Sequence, residues 1–267
     1  MAARVKQSSE QGDRIVFLGS GGARIVVAKQ IRASGGIWFC LDRTEFLVDP
    51  GPGALVRMTS SRHKLNPTKL GGILLSHRHL DHCGDVNNMI EAMTMGGTEP
   101  RGSLFAPADA LEGDDPVVLH YLRPFLEQVV TLEEKGTYRL GNVRFSCPVR
   151  HHHRGEVYGF RFEVPGLVIS YIADTGYFPE LADFYQADVV IMNVVRFKPS
   201  NLDHLHAPEA EELARRMHPK LAVITHFGMT MIRARPWVVA RDMSERTGVN
   251  IIAASDGKKV DLSQFRQ

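Results

Sequence analysis

The segment His77-x-His79-x-Asp81-His82 puts three imidazoles and a carboxylate into six residues. Packing does not explain such crowding, because each buried polar group must find a partner. Imidazole nitrogen and carboxylate oxygen are ordinary ligands for zinc and related divalent ions. Alternation along an extended turn sends His77, His79 and Asp81 roughly one way, with His82 beside Asp81. That geometry suits two neighbouring metal ions. The alternative is a solvated polar loop whose histidines are coincidental.

The elements around the segment favour the metal reading. Gly71–Leu75, just before it, is a short apolar run that predicts a buried strand. The segment therefore starts past a strand end, where α/β folds place ligand sites. Ile15–Leu18, Ile37–Cys40, Glu45–Val48, Arg144–Cys147, Val157–Val164, Leu167–Ile172, Val189–Met192, Leu221–Thr225 and Val249–Ala253 also read as strands. Pro165-Gly166 predicts a hairpin between two of them. Helical spacing marks Val86–Met95, Ala207–Met217 and about 235–245. Pro208 suits a first helical turn, where its missing N–H is not needed. Adjacent strands followed by strands alternating with helices predict a layered α/β domain. Gly96–Glu127, rich in Gly, Pro and Asp, reads as an insertion or a short-helix cap near the site. Gly19-Ser20-Gly21-Gly22 lacks the Gly-Lys-Ser/Thr ending of a phosphate-binding loop and reads as a tight turn in the first hairpin.

Composition narrows the classes. The 267 residues are 43% hydrophobic and 23% charged, which excludes disorder, collagen and coiled coil for the whole chain. Lys plus Arg number 32 against 30 Asp plus Glu, so the net charge of +2 gives no electrostatic reason to expect nucleic acid. Cys40, Cys83 and Cys147 form no CxxC pair and read as small thiols in a reducing compartment. Met1 to Arg14 is polar, without the apolar core of a signal peptide, and no apolar run approaches the roughly 20 residues of a membrane span. A cytoplasmic protein without a membrane partner is the expectation.

HxHxDH after a short apolar strand resembles the signature of the metallo-β-lactamase-fold hydrolase superfamily. The resemblance continues in order through Arg150-His151-His152-His153, Ala173-Asp174-Thr175 and Thr225-His226-Phe227-Gly228, with Leu47-Val48-Asp49-Pro50-Gly51 as the strand and turn beneath the site. It spans about Ile15 to Ile252 and implies a four-layer αβ/βα sandwich, an α/β fold, in one domain over residues 1–267. It implies His77, His79 and His153 on one metal, Asp81, His82 and His226 on a second, and Asp174 as the bridge. His152 is the alternative to His153, which is favoured by its distance before Gly159-Phe160-Arg161. Asp174 could also cap a helix. The implied cofactors are two divalent ions, zinc first, then manganese or iron.

The chain is similar to the phosphodiesterase branch that includes RNase Z. Thr225-His226-Phe227-Gly228 matches that branch's last strand end, and Asp203-His204-Leu205-His206-Ala207-Pro208 resembles its His-Ser-Thr element. By position His206 would protonate the leaving oxygen, so Asp81 and His206 are the expected catalytic residues. Asn193 stands where RNase Z has a glutamate that pairs with the helper histidine, so the pair is incomplete or rebuilt with Asp203. Arg196 and Lys198 read equally as phosphate contacts and as surface charges. The expected function is hydrolysis of a small or cyclic phosphodiester through hydroxide generated between two metals. A thioester or lactone hydrolase, or a non-catalytic metal-binding regulator, is the alternative. The expected partner is a small-molecule phosphodiester, with nucleic acid the less favoured option. The oligomeric state is open, with a homodimer among the options.

Overall fold

A strand that is apolar on both faces must be covered on both faces, and most strands of this chain are of that kind. The computed structural model describes residues 12–266, so nearly all of the polar N-terminal stretch lies outside it. In the first half lie β1 (Arg14–Phe17), β2 (Ile37–Leu41), β3 (Thr44–Val48), β4 (Gly72–Leu74), β5 (Ser103–Ala106) and β6 (Gln128–Thr131). In the second lie β7 (Thr137–Leu140), β8 (Val143–Ser146), β9 (Phe160–Val164), β10 (Leu167–Ile172), β11 (Val189–Asn193), β12 (Leu221–Thr225) and β13 (Ile251–Ala253). A last strand, β14 (Lys259–Asp261), returns to the first sheet. The helices are α1 (Arg24–Ala28), α2 (Ala54–Thr59), α3 (Leu80–Cys83), α4 (Val86–Met93), α5 (Ala108–Leu111), α6 (Leu181–Phe184), α7 (Ala207–Met217), α8 (Met229–Arg233) and α9 (Pro236–Thr247).

The strands form two seven-stranded sheets, β14-β1-β2-β3-β4-β5-β6 and β13-β12-β11-β10-β9-β8-β7. Each half begins antiparallel and turns parallel: β1 to β3 and then β3 to β6, β7 to β10 and then β10 to β13. Alternation sorts the apolar side chains into three layers. Ile15, Phe17, Leu74, Val189 and Ile191 meet between the sheets, joined by the rings of Phe39, Phe46 and Phe162 at centroid distances of 4.9–5.1 Å. Val16, Ile73 and Leu75 face Met58, Val86 and Ile90 of α2 and α4. Val190, Met192 and Ile224 face Ala210, Leu213 and Met243 of α7 and α9. Helix, sheet, sheet and helix are the four layers of the metallo-β-lactamase fold.

Three expectations need correcting. Gly96–Glu127 is no mere insertion, because it supplies β5, which sits between β4 and β6. Its Gly and Pro residues hide a four-residue strand with too few alternations to register. The strand expected from Val157 starts at Phe160, since the Tyr158 N–H donates instead to the carbonyl of Ser76, 3.0 Å away. Gly19–Gly22 is not a tight hairpin turn, because α1 lies between β1 and β2 and the loop runs on to the strand end after β12. Among the described residues, no helix is long and apolar enough to cross a membrane.

Candidate metal centre

The chemistry-bearing residues leave the C-terminal ends of the strands that run parallel. Asp49 follows β3, Ser76 and His77 follow β4, Asp174 follows β10, Asn193 ends β11 and His226 follows β12. Side by side in parallel, these ends must converge at one edge of the sandwich. His226 and Asp49 take left-handed backbone conformations, with φ of 60° and 52°. Such a conformation costs an ordinary residue about 1–2 kcal/mol and tends to occur where function requires it.

Two ligand sets result. In the first, His79 Nδ1 lies 3.0 Å from His77 Nε2 and 3.2 Å from His153 Nε2. In the second, His226 Nε2 lies 3.5 Å from Asp81 Oδ2. Asp174 Oδ2 lies 3.4 Å from His82 Nε2 and 3.5 Å from His226 Nε2, and Asp174 also groups with His77 and with His153 of the first set. Separations of 3.4–3.5 Å are long for hydrogen bonds, which run about 2.7–3.2 Å. They match the edge of a tetrahedron whose ligands lie about 2.0–2.2 Å from a central ion. His82 Nε2 and His226 Nε2 are moreover buried without a hydrogen-bond partner. Orphaned buried nitrogens need an explanation, and a divalent cation supplies one. The donor set fits a metal.

The other ring nitrogens fix the tautomers. His82 Nδ1 donates to Asp49 Oδ2 at 2.9 Å, His153 Nδ1 to the Asp203 carbonyl at 2.8 Å and His77 Nδ1 to Ser76 Oγ at 2.9 Å. Each partner leaves Nε2 bare toward the cluster. Ser76 Oγ in turn donates to Asp49 Oδ2 at 2.7 Å. Tyr171 Oη also donates there, at 2.9 Å, and burial followed by Asp49 and Asp174 holds that phenol well above its ordinary range, so it remains a donor. Asn193 Nδ2 donates to Asp174 Oδ1 at 2.9 Å.

Electrostatics follow from burial and from these contacts. Burial, then the charge of His82, holds the His77 ring well below its usual value, so it is a neutral ligand. Burial disfavours charge on His226 too, but Asp174 outweighs it and raises that ring to about 9. His82 is raised well above its usual range, again against burial, by Asp174 and Asp49. Burial alone would raise Asp174, yet His226 and His82 keep its carboxyl well below the normal range. Without metal, His82 and His226 thus carry protons that an incoming cation displaces.

Among the expected residues, His77, His79, Asp81, His82, His153, Asp174 and His226 converge on these sets. His152 does not, because its ring packs on Phe178 with centroids 4.3 Å apart. His206 does not either. It caps α7, its Nδ1 accepting from the Glu209 N–H while the Glu209 carboxylate takes the His206 N–H at 3.0 Å. The histidine brought to the cluster is His204, whose Nδ1 is buried, unpartnered and 3.5 Å from Asp174 Oδ2. An N-cap residue turns its side chain onto its own helix, which leaves the residue two earlier to face the His/Asp cluster. Asp203 meets the site through its backbone carbonyl, to His153. Cys83 is a buried thiol, pushed up to about 12 by burial, donating to the Arg78 carbonyl. Lys198 is exposed.

Sequence reasoning missed Gly22, Tyr171 and the role of Asn193. A Cβ on Gly22 would collide with the His226 ring, and the Ala23 N–H donates to Asp81 Oδ2 at 3.3 Å. The Gly-rich loop is therefore a wall of the second ligand set. Its glycines were visible, but their partner 204 residues away was not.

A beta-lactamase superfamily domain is matched over residues 44–227. The chain belongs to that superfamily. It is 32% identical over 257 residues to the uncharacterized protein MJ1374 of Methanocaldococcus jannaschii, covering 93% of this chain and 94% of that protein. Among solved structures, the metallo-beta-lactamase fold protein YhfI of Bacillus subtilis superposes with a TM-score of 0.76 at 17% identity, over 93% of this chain and 98% of that one. A diphosphatase of the PhnP family superposes with a TM-score of 0.68 at 20% identity, over 93% and 96%. Family, fold and the buried His/Asp cluster make the chain a metal-dependent hydrolase of the metallo-β-lactamase fold.

Proposed function

We propose that the protein hydrolyses a small or cyclic phosphodiester with two divalent metal ions, zinc first among them. The observation that carries this reading is His204. Neither the set of His77, His79 and His153 nor that of Asp81, His82 and His226 includes it. Although His204 also groups with His153 and Asp174, its Nδ1 beside Asp174 has no hydrogen-bond partner, which supports a role toward substrate. When a phosphodiester is hydrolysed, the P–O bond that breaks releases an alkoxide, whose conjugate acid has a pKa near that of water, roughly 15.7. It needs a proton as the bond breaks. A thiolate, with an ordinary thiol pKa of about 8.5, leaves without one. The spare imidazole thus favours an oxygen leaving group over a thioester. The likeness to a PhnP-family diphosphatase supports phosphorus as the centre attacked.

His77, His79 and His153 would hold one ion, Asp81, His82 and His226 the other, and Asp174 would span both. Ions so held supply charge stabilisation and a water-derived nucleophile at neutral pH. Asp49 and Ser76 keep His82 and His77 in the ligating tautomer. His204 holds a proton at the leaving oxygen. Burial sets that ring below its usual pKa, and an anionic phosphate next to it favours the protonated form.

Hydrolysis of bis(p-nitrophenyl) phosphate by protein loaded with zinc or manganese is the direct test. Turnover that depends on metal and is lost in His79→Ala is expected. His204→Ala should keep its metal but lose roughly 10²–10⁴-fold on an alkyl or cyclic diester. It should lose far less on the aryl diester, whose p-nitrophenolate departs without a proton. Hydrolysis of thioesters, with no diester cleaved by fully metal-loaded protein, would overturn the reading.

A further inference from the structure

Position 193 carries an amide, and the site shows what an amide does there. Its Nδ2 has two hydrogens and two acceptors, Asp174 Oδ1 at 2.9 Å and Tyr171 Oη at 3.2 Å. Tyr171 Oη passes its own hydrogen to Asp49 Oδ2, which also accepts from His82 Nδ1 at 2.9 Å. A continuous chain of donors thus runs from one oxygen of Asp174 to the far nitrogen of His82. All of its members are buried, with exposures of 1–3%. It also crosses the molecule's central plane. Asp49 comes from the first sheet, and Tyr171 and Asn193 come from the second.

A carboxylate at 193 would face the buried carboxylate of Asp174 with no hydrogen to offer it, and none for Tyr171 Oη, whose own hydrogen goes to Asp49. The amide instead engages Oδ1 of Asp174 and leaves Oδ2 free. Oδ2 is the oxygen that faces His82, His226 and His204. At its other end the chain directs His82 Nε2 to the same point.

We propose that Asn193 and Tyr171 are positioning residues for the second metal ion, holding Asp174 and His82 so that both present one ligand atom to it. The inference rests on the two-ion reading above. Hydrogen-bond partners behind metal ligands are commonly worth 10–100-fold in affinity. The loss should fall on the ion of Asp81, His82 and His226. The ion of His77, His79 and His153 should be weakened less, because the link reaches its ligands only through the shared Asp174 and, by way of Asp49 and Ser76, through His77, while His79 and His153 stand outside it.

Metal-free protein titrated with cobalt(II), read by its visible spectrum and by competition with a chelator, tests this without any substrate. Unmodified protein should take two ions. Asn193→Leu should weaken the second ion about 10–100-fold and alter its visible bands, with the first ion within about threefold. Tyr171→Phe keeps the shape of the core, removes one link and should weaken the second ion in the same sense, which covers the case in which Asn193→Leu does not fold. Both variants binding two ions with unchanged affinity and spectrum would overturn the proposal, as would equal weakening of both ions. Unmodified protein that takes one ion would defeat the two-ion reading and this inference with it, a result seen before any variant is made.

Discussion

His204 and His206 are two residues apart, and only one faces the His/Asp cluster. His206 Nε2 lies 3.1 Å from Glu209 Oε1 while its Nδ1 caps the helix, so its ring is fully occupied. His204 Nδ1 has no partner. The two alanine variants should therefore separate. His206→Ala should cost about 1 kcal/mol of stability, the usual worth of an N-cap, and leave metal content and turnover in place. His204→Ala should leave stability and metal content in place and lose turnover of an alkyl or cyclic diester. Thermal unfolding and steady-state rates on both variants check this. A rate loss confined to His206→Ala would return the catalytic role to His206.

Elements act here through where they end. Parallel strands deliver Asp49, His77, Asp174, Asn193 and His226 to one edge because their C-terminal ends are aligned. The loop after β1 closes that edge. Gly21 bridges to Phe227, and Ser20 is tied by its N–H and its hydroxyl to Asp256 at 2.9 and 2.8 Å. The loop is thus anchored from two sides and cannot easily retreat from His226. Gly22→Val should force the His226 ring to move and weaken metal binding by about tenfold or more. Isothermal titration of the metal-free variant measures this, and wild-type affinity there would show that the loop yields.

The whole molecule joins two sheets through an apolar layer, but its site edge is joined by polar contacts. A further polar contact lies within the second half alone. His151 Nδ1 donates to the Asp174 carbonyl and its Nε2 accepts from Tyr185 Oη at 2.7 Å. Burial lowers this ring to about 4, against about 6.5 when unfolded, so it is neutral in the fold. A depressed folded value contributes stability above pH 6.5 that is lost as pH falls toward 4. The loss is at most about 3 kcal/mol. His226, raised to about 9, changes its contribution in the separate window between 9 and 6.5. Metal-free protein should unfold in one transition whose denaturant midpoint drops between pH 6.5 and 4. His151→Gln should flatten that slope, and a slope unchanged by the substitution would remove His151 as its source.

The metal-ligand residue types, their order and the strands that carry them were legible in the sequence because each signal is local. HxHxDH lies within six residues, β10, β12 and α7 match their expected bounds, and apolar runs mark strands buried on both faces. The short strands β5 and β6 were not legible, since four residues carry too little alternation against a background of Gly and Pro. Tertiary structure alone decided which histidine faces the His/Asp cluster, which wall Gly22 forms and which groups the Asn193 amide meets. Each depends on a contact between residues far apart in the chain, as between Asn193 and Asp174 or between Gly22 and His226. Local periodicity says which face of an element a residue occupies, and only the packed sheets say what stands opposite it.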